Sequence, residues 1–361
     1  MTEKTQRIYG FDFARGLAII GMVIVNFKVV MVAETDAFLY QMVELLSGKA
    51  AALFVVLAGV GMTLMYQSAK RKKDFEKIRE VKLSLLKRAA FLFVVGLSYY
   101  FIWPADILHY YGLYLSIGIL FLPLSRKWLL ITSLLIIIGY TVLLSFFNYE
   151  TGWDWHILEY TDFFTLHGFF RNLFLNGFHP VLPWLAFLLT GIWVGRINFN
   201  DAKQRKRVTI VSLIVFIVFK GNSMFLVEKL SSLTPSEALD IEYLFGTTPM
   251  PPLFFYMITA TSLAVLIISV SVYITNKFPH SLFVKQMIST GQLALSNYFF
   301  HVVIGMLFLE LLYGKLEYAF SIEFTVVYAI LFSVLIVVFS HLWRKKFKQG
   351  PLEYLMRKIT G

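Results

Sequence analysis

Runs of about 20 mostly apolar residues recur from one end of this chain to the other, and no other feature constrains its fold as tightly. A run of that length crosses a hydrocarbon core of about 30 Å as a helix. Inside lipid, only helices and closed barrels satisfy every backbone N–H and C=O. Hydrophobic residues make up 58% of the chain and charged residues 15%, and no stretch is left over for a separate soluble domain. The expected fold class is all-α, a polytopic integral membrane helix bundle with about ten spans. They fall near 13–33, 48–67, 86–104, 108–124, 128–147, 179–195, 207–227, 252–274, 292–313 and 322–342. Residues 1–361 read as a single transmembrane domain.

Charge sets the expected orientation. A net charge of +11 would point to nucleic acid in a soluble chain. Here cytoplasmic enrichment of Lys and Arg accounts for it, and no nucleic-acid partner is expected. With the N-terminus inside, the inner segments hold 27 of the 33 Lys and Arg and only 7 of the 22 acidic residues. An even span count returns the basic tail WRKKFKQG to the same side, so both termini are expected to be cytoplasmic. The first apolar run is too long for a signal-peptide core and reads as a retained helix. The cysteine count is zero, which excludes disulfides, thiolate metal sites and a cysteine nucleophile. No metal-ligand pattern is present, and the expected cofactor list contains no metal.

Polar residues inside apolar runs carry the functional signal, because each costs several kcal/mol at the centre of a span unless something holds it. Asp12 and Arg15 are three apart at the inner mouth of the first span and can pair. Asn26 follows Arg15 by eleven residues, close to three turns and about 16 Å, on the same helix face. A structural ion pair with a helix–helix amide bond is the alternative. His109 and His179 each open an inward-going span on the outer side, beside Asp106 and Asn176 respectively. A neutral histidine oriented by a carboxylate is a general base near pH 7; interfacial histidines facing water are the alternative. His301 lies deeper, four residues after Asn297 in GQLALSNYFFH, and reads as either a base or a packing residue. Lys28 and Lys220 are expected to snorkel outward. FFTLHGFFRNLFLNGF, in the outer loop 148–178, reads as a helix lying in the membrane interface. The second span ends in AGVGM, where small residues permit close helix contact. The basic inner loops could receive a polyanion such as coenzyme A, but charge count alone names no phosphate ligand among them.

FDFARGLAIIGMVIVN resembles the opening of the YeiB-like membrane proteins, which is shared with the catalytic region of heparan-alpha-glucosaminide N-acetyltransferases. ADILHYYGLYL, GQLALSNYFFH and FKQGPLEYLMRK match further YeiB-like stretches in order. The resemblance divides the domain into an acyltransferase-like half, 13–147, and a YeiB-like half, 179–361. It implies a transmembrane acyltransferase that takes an acyl group from cytoplasmic acetyl-CoA, or another acyl-CoA, to an extracytoplasmic acceptor. Asp12, Arg15 and Asn26 then belong to the donor site, with Asn26 polarising the thioester. The base is drawn from His109, His179 or His301, with Asp106 or Asp36 as orienter. The histidine those acetyltransferases carry in the loop after the first span is missing from KVVMVAETDAFLYQ, which argues against glucosamine as acceptor. A transporter without acyl chemistry and a non-catalytic membrane scaffold are the competing functions. The expected setting is a bacterial cytoplasmic membrane, with the lipid bilayer and acyl-CoA as partners, an unidentified acceptor, and a homodimer left open.

Overall fold

A computed structural model describes residues 7–155, 158–314 and 316–361. Along the chain run α1 (Tyr9–Met31), α2 (Phe38–Glu44), α3 (Lys49–Arg71), α4 (Phe75–Ser98), α5 (Leu108–Phe121), α6 (Arg126–Leu143), α7 (Leu166–Arg171) and α8 (Val181–Val194). They are followed by α9 (Ala202–Leu233), α10 (Ala238–Phe245), α11 (Phe254–Lys277), α12 (Leu282–Gln292), α13 (Ala294–Phe300), α14 (Leu307–Tyr313), α15 (Ile322–Lys346) and α16 (Pro351–Thr360). Wider π-helical turns at Asn172–Asn176 and His301–Met306 follow α7 and α13. A short antiparallel ribbon pairs Trp153 with Tyr160. Side-chain caps start several helices: Asp74 accepts from Lys77 N, Thr165 from Gly168 N and Ser321 from Phe324 N.

Every expected span has a helix, but length and composition support fewer crossings than ten. Seven helical stretches among the described residues are long and apolar enough, or eight if the bent pair Leu166–Asn176 and Val181–Val194 is one span. The difference between ten and eight is α4 and α5. The first half of α4, FEKIREVKLSLLKR, is heavily charged. α5 has 14 residues, about 21 Å of helix, short of a hydrocarbon core of about 30 Å.

The chain forms two compact units. The first takes in the chain up to Phe54, Asn198–Ile210 and Val265–Lys358; the second is Val55–Ile197, Val211–Ala264 and Ile359–Gly361. In the first, α1 packs along α12 and also meets α13 and α15. Phe13, Val284 and Met287 form a buried cluster there, with Ile20, Ile288 and Val337 against it. The approach of α1 and α12 is close enough that a Cβ on Gly291 would lie 1.8 Å from the Asp12 carbonyl oxygen. In the second unit α4 and α5 form a hairpin, and both α5 and α6 pack on α8. Of the two glycines in AGVGM, a Cβ on Gly59 would lie 2.2 Å from the Leu188 carbonyl oxygen, whereas one on Gly61 meets nothing within 4 Å.

The tail folds back onto the first unit. Glu353 of α16 accepts from the N–H groups of Leu295 (2.8 Å) and Ser296 (3.2 Å) and from the Ser296 hydroxyl. It therefore caps α13, whose first turn is left without partners by the break at Leu293. Burial raises the Glu353 pKa above the usual carboxylate value, and the donors pull it partly back.

Two outcomes follow. Gly291→Ala and Gly59→Ala force backbone apart and lower the detergent-solubilised unfolding midpoint, at a cost of about 1–3 kcal/mol; Gly61→Ala leaves it unchanged or raises it. An acid with a raised folded pKa stabilises fully only below its unfolded value, near 4.3, and loses that contribution as pH rises through the folded value. Glu353→Gln keeps an acceptor for the α13 amides and removes the titration. Wild type should thus lose stability relative to this variant as pH is raised from about 4 to 7, read from unfolding midpoints.

Candidate functional site

The first unit gathers four of the sequence-selected residues, Asp12, Arg15, Asn26 and His301. The Asp12 carboxylate is almost wholly buried where α1 begins. It accepts from Arg7 (Nε 2.9 Å, Nη2 2.8 Å), Arg15 Nη1 (3.2 Å) and Gln292 Nε2 (3.2 Å). Two guanidiniums on one carboxylate leave this end of the helix net positive. Fourteen residues further on, about 21 Å along the axis, Asn26 Nδ2 stands 2.9 Å from His301 Nε2.

The surroundings of His301 decide its proton. Its Nδ1 contacts the Tyr298 carbonyl oxygen, which can only accept, so Nδ1 carries the hydrogen. The Nε2 lone pair then faces the Asn26 amide, which donates to it. The imidazole is fully buried and sits at the first residue of a π-helical turn, a feature frequent at functional sites. Phe27, one residue after Asn26, packs its ring 6.1 Å from the imidazole and also against Tyr328 and Phe332. The Tyr328 hydroxyl donates to the Gly305 carbonyl inside the same turn at 2.8 Å. Asn297 takes no part in this pair: its amide donates to Thr290 O (3.2 Å) and Ser340 Oγ (2.9 Å).

The second unit holds Asp106, His109 and His179. Asp106 is fully buried and accepts from the Tyr99 hydroxyl, from Leu108 N (2.7 Å) and His109 N (3.2 Å), and from His109 Nδ1 (3.2 Å). It thus caps α5 and orients His109 in one arrangement. With Nδ1 donating, His109 Nε2 carries the lone pair, and that atom is buried with no hydrogen-bond partner among the described residues. The Tyr110 ring lies 4.0 Å from the His109 ring and 5.9 Å from the His179 ring. His179 packs edge-on against Trp184 at 4.6 Å, and its Nδ1 is likewise buried without a partner. Its backbone carbonyl accepts from Tyr114. Asn176 is not beside the His179 ring in any hydrogen bond. It accepts from Tyr160 (2.6 Å) and donates to Tyr149 O and Thr151 O, fastening the loop 148–178.

Several expectations change. Lys28 does not snorkel: it is buried, ion-paired with Glu44 of α2 and placed 4.4 Å over the Tyr40 ring. A partner inside the fold replaces water as the holder of its charge. Lys220 is half-buried and donates to Thr247 Oγ1 at 2.6 Å. Asp36 is exposed on the loop after α1 and hydrogen-bonds no histidine among the described residues. The segment around FFTLHGFF is helical as α7, and Arg171 at its end is tied to Asp162 by two bonds of 2.6 and 2.8 Å. Gln292, the Tyr298 carbonyl and Tyr99 complete the two clusters and carried no signal in the sequence. Among the described residues no cluster of three or more His, Asp or Glu side chains could hold a metal.

Removing the Asp106 carboxylate strands four donors in a buried place. Asp106→Ala is expected to cost about 3 kcal/mol or more, read as a lowered unfolding midpoint, whereas His109→Ala should cost less because the α5 cap survives.

Comparison with known proteins identifies relatives of this chain. A family model described as heparan-alpha-glucosaminide N-acetyltransferase, catalytic, matches residues 7–228, more than half of the chain and including Asp12, Arg15, Asn26, Asp106, His109 and His179. A second, described as a protein of unknown function (DUF418), matches residues 195–361, which include His301. The chain is 24% identical to an uncharacterized protein, YxaH, of Bacillus subtilis (strain 168), over 99% of this chain and 95% of that one. The chain therefore belongs to the family of the heparan-alpha-glucosaminide N-acetyltransferase catalytic region, in the company of the YeiB-like membrane proteins.

Proposed function

We propose that this protein is a multi-pass acyltransferase of a bacterial cytoplasmic membrane. It moves an acyl group, acetyl in the simplest case, from cytoplasmic acyl-CoA to an extracytoplasmic acceptor. Both chain termini are cytoplasmic in this reading, which puts Asp12 at the inner mouth and Asn26 in the outer half of the membrane. The observation that carries it is the Asn26–His301 contact. It joins an amide donor to an imidazole whose only basic atom points at that donor, at the far end of the helix face that starts with Asp12 and Arg15.

The chemistry needs one proton moved twice. As the thioester arrives, the Asn26 amide turns its N–H onto the carbonyl oxygen and releases His301 Nε2. An acceptor hydroxyl or amine attacks the carbonyl carbon and gives its proton to Nε2. The negative charge that develops on the carbonyl oxygen is held by the Asn26 N–H. The tetrahedral intermediate then breaks its C–S bond, and the imidazolium returns the proton to the leaving thiolate, giving free CoA thiol. Asp12, crossed by Arg7, Arg15 and Gln292, holds the start of α1 against α12 and so keeps the two ends of the path in register. The base has a second reading, Asp106–His109, favoured by the buried Nε2 lone pair that lacks a partner among the described residues. In that reading His179 shares the Tyr110 ring and takes part as a neighbour of the base.

The test uses the chain's lack of cysteine, which leaves no protein thiol to react with a thiol reagent. Purified protein is reconstituted into vesicles loaded with cell-envelope extract as acceptor, and [1-14C]acetyl-CoA is added outside. Thiol release and label entering the extract are followed together. Wild type should give both. Asn26→Ala should lose about 10²–10³-fold in rate and His301→Ala about 10²–10⁴-fold, with unchanged folding. Undiminished transfer in His301→Ala with loss in His109→Ala would move the base to the Asp106 dyad. Uptake or release of a solute by wild type with no thiol release would favour a transporter.

A further inference from the structure

Where α1 begins, the first unit holds a cavity of about 430 Å³ that the chemistry at Asn26 and His301 leaves unused. Lys285 and Gln292 of α12 line it, with His341, Arg344 and Lys345 of α15 and Tyr9 of α1. Among the described residues its lining includes no Asp or Glu. Orientation in a membrane explains why Lys and Arg lie on this side. It does not explain why two helices bring three cations and a histidine to one hollow, where like charges repel unless an anion stands between them. Arg344 is held in place from behind, its Nη1 donating to the carbonyls of Phe347 and Lys348. Tyr9 is half exposed, with the Arg7 guanidinium 5.8 Å over one face of its ring. Gln292 belongs both to this lining and to the Asp12 cluster, so the cavity adjoins the start of the helix face that ends at Asn26. Its volume falls within the range of about 300–1,000 Å³ usual for small-molecule sites.

We propose that this cavity is the phosphate end of the donor site, taking the nucleotide and its phosphates from an acyl-CoA-type donor. Lys285, Arg344 and Lys345 contact the phosphates, Tyr9 stacks on the base, and the acyl-bearing arm runs along α1 toward Asn26. The assignment rests on the acyl-transfer reading and adds the cation set that fixes the donor. Apart from Tyr9, these residues lie in the region matched by the family model of unknown function, 195–361, and the assignment gives that region a task.

The test is calorimetric titration of coenzyme A into the full-length purified protein, beside the Lys285→Gln/Lys345→Gln double variant and Asn26→Ala. Among the described residues neither lysine side chain has a hydrogen-bond or ion-pair partner, and unfolding midpoints check that the fold does not need them. The double variant should bind coenzyme A at least tenfold more weakly, with a shallower salt dependence. Inorganic pyrophosphate should compete with coenzyme A on wild type. Asn26→Ala should bind coenzyme A as wild type does while losing transfer. Equal affinity in the folded double variant overturns the assignment and leaves the transfer reading standing. No binding and no transfer by wild type overturns both. Co-purifying phosphatidylglycerol that is lost in the double variant, with coenzyme A affinity unaltered, overturns the donor assignment and gives the cavity to a lipid headgroup phosphate.

Discussion

A polar group inside hydrocarbon must find a partner within the protein, and the arrangement of this molecule follows from that requirement. Three of the polar residues that α1 carries into its span are answered by another element. Gln292 meets Asp12, His301 meets Asn26, and Glu44 with Tyr40 meets Lys28. These bonds, with the backbone approach at Gly291, set the register of α1 against α12 and α13. The first helix is thus fixed at its start by Gln292, 280 positions away in the chain, and near its end both by His301, 275 positions away, and by the neighbouring α2. The same requirement operates in the second unit, where one buried carboxylate, Asp106, answers a tyrosine, two backbone amides and an imidazole together.

Much of this was legible in the sequence because apolar length and polar exceptions are local signals. The helices lie where the apolar runs predict them, and the pairing of Asp12 with Arg15 follows from three-residue spacing alone. So does the contact of Asp106 with His109, three residues apart where the chain enters α5. The number of crossings was less legible. Apolar character continues through 108–124, but the helix that forms there stops at Phe121, and in α4 it is confined to the second half.

Partners distant in the chain were not legible at all. Nothing in the sequence near Asn26 points to His301, and nothing near Ser296 points to Glu353. Yet GQLALSNYFFH and FKQGPLEYLMRK, two stretches noted separately, touch through that serine and that glutamate. Lys28 was misjudged for the same reason. Its partner Glu44 lies on a short helix after an intervening loop, and a lysine near a span end ordinarily reaches for water.

The central claim is that Asn26 holds the thioester carbonyl during transfer. Isotope-edited infrared difference spectroscopy of [1-13C]acetyl-CoA bound to the purified protein reads that bond directly. The account predicts a carbonyl stretch moved to lower frequency on wild type and returned to its solution position on Asn26→Ala. The same frequency on both proteins, with the donor bound in each, would contradict it.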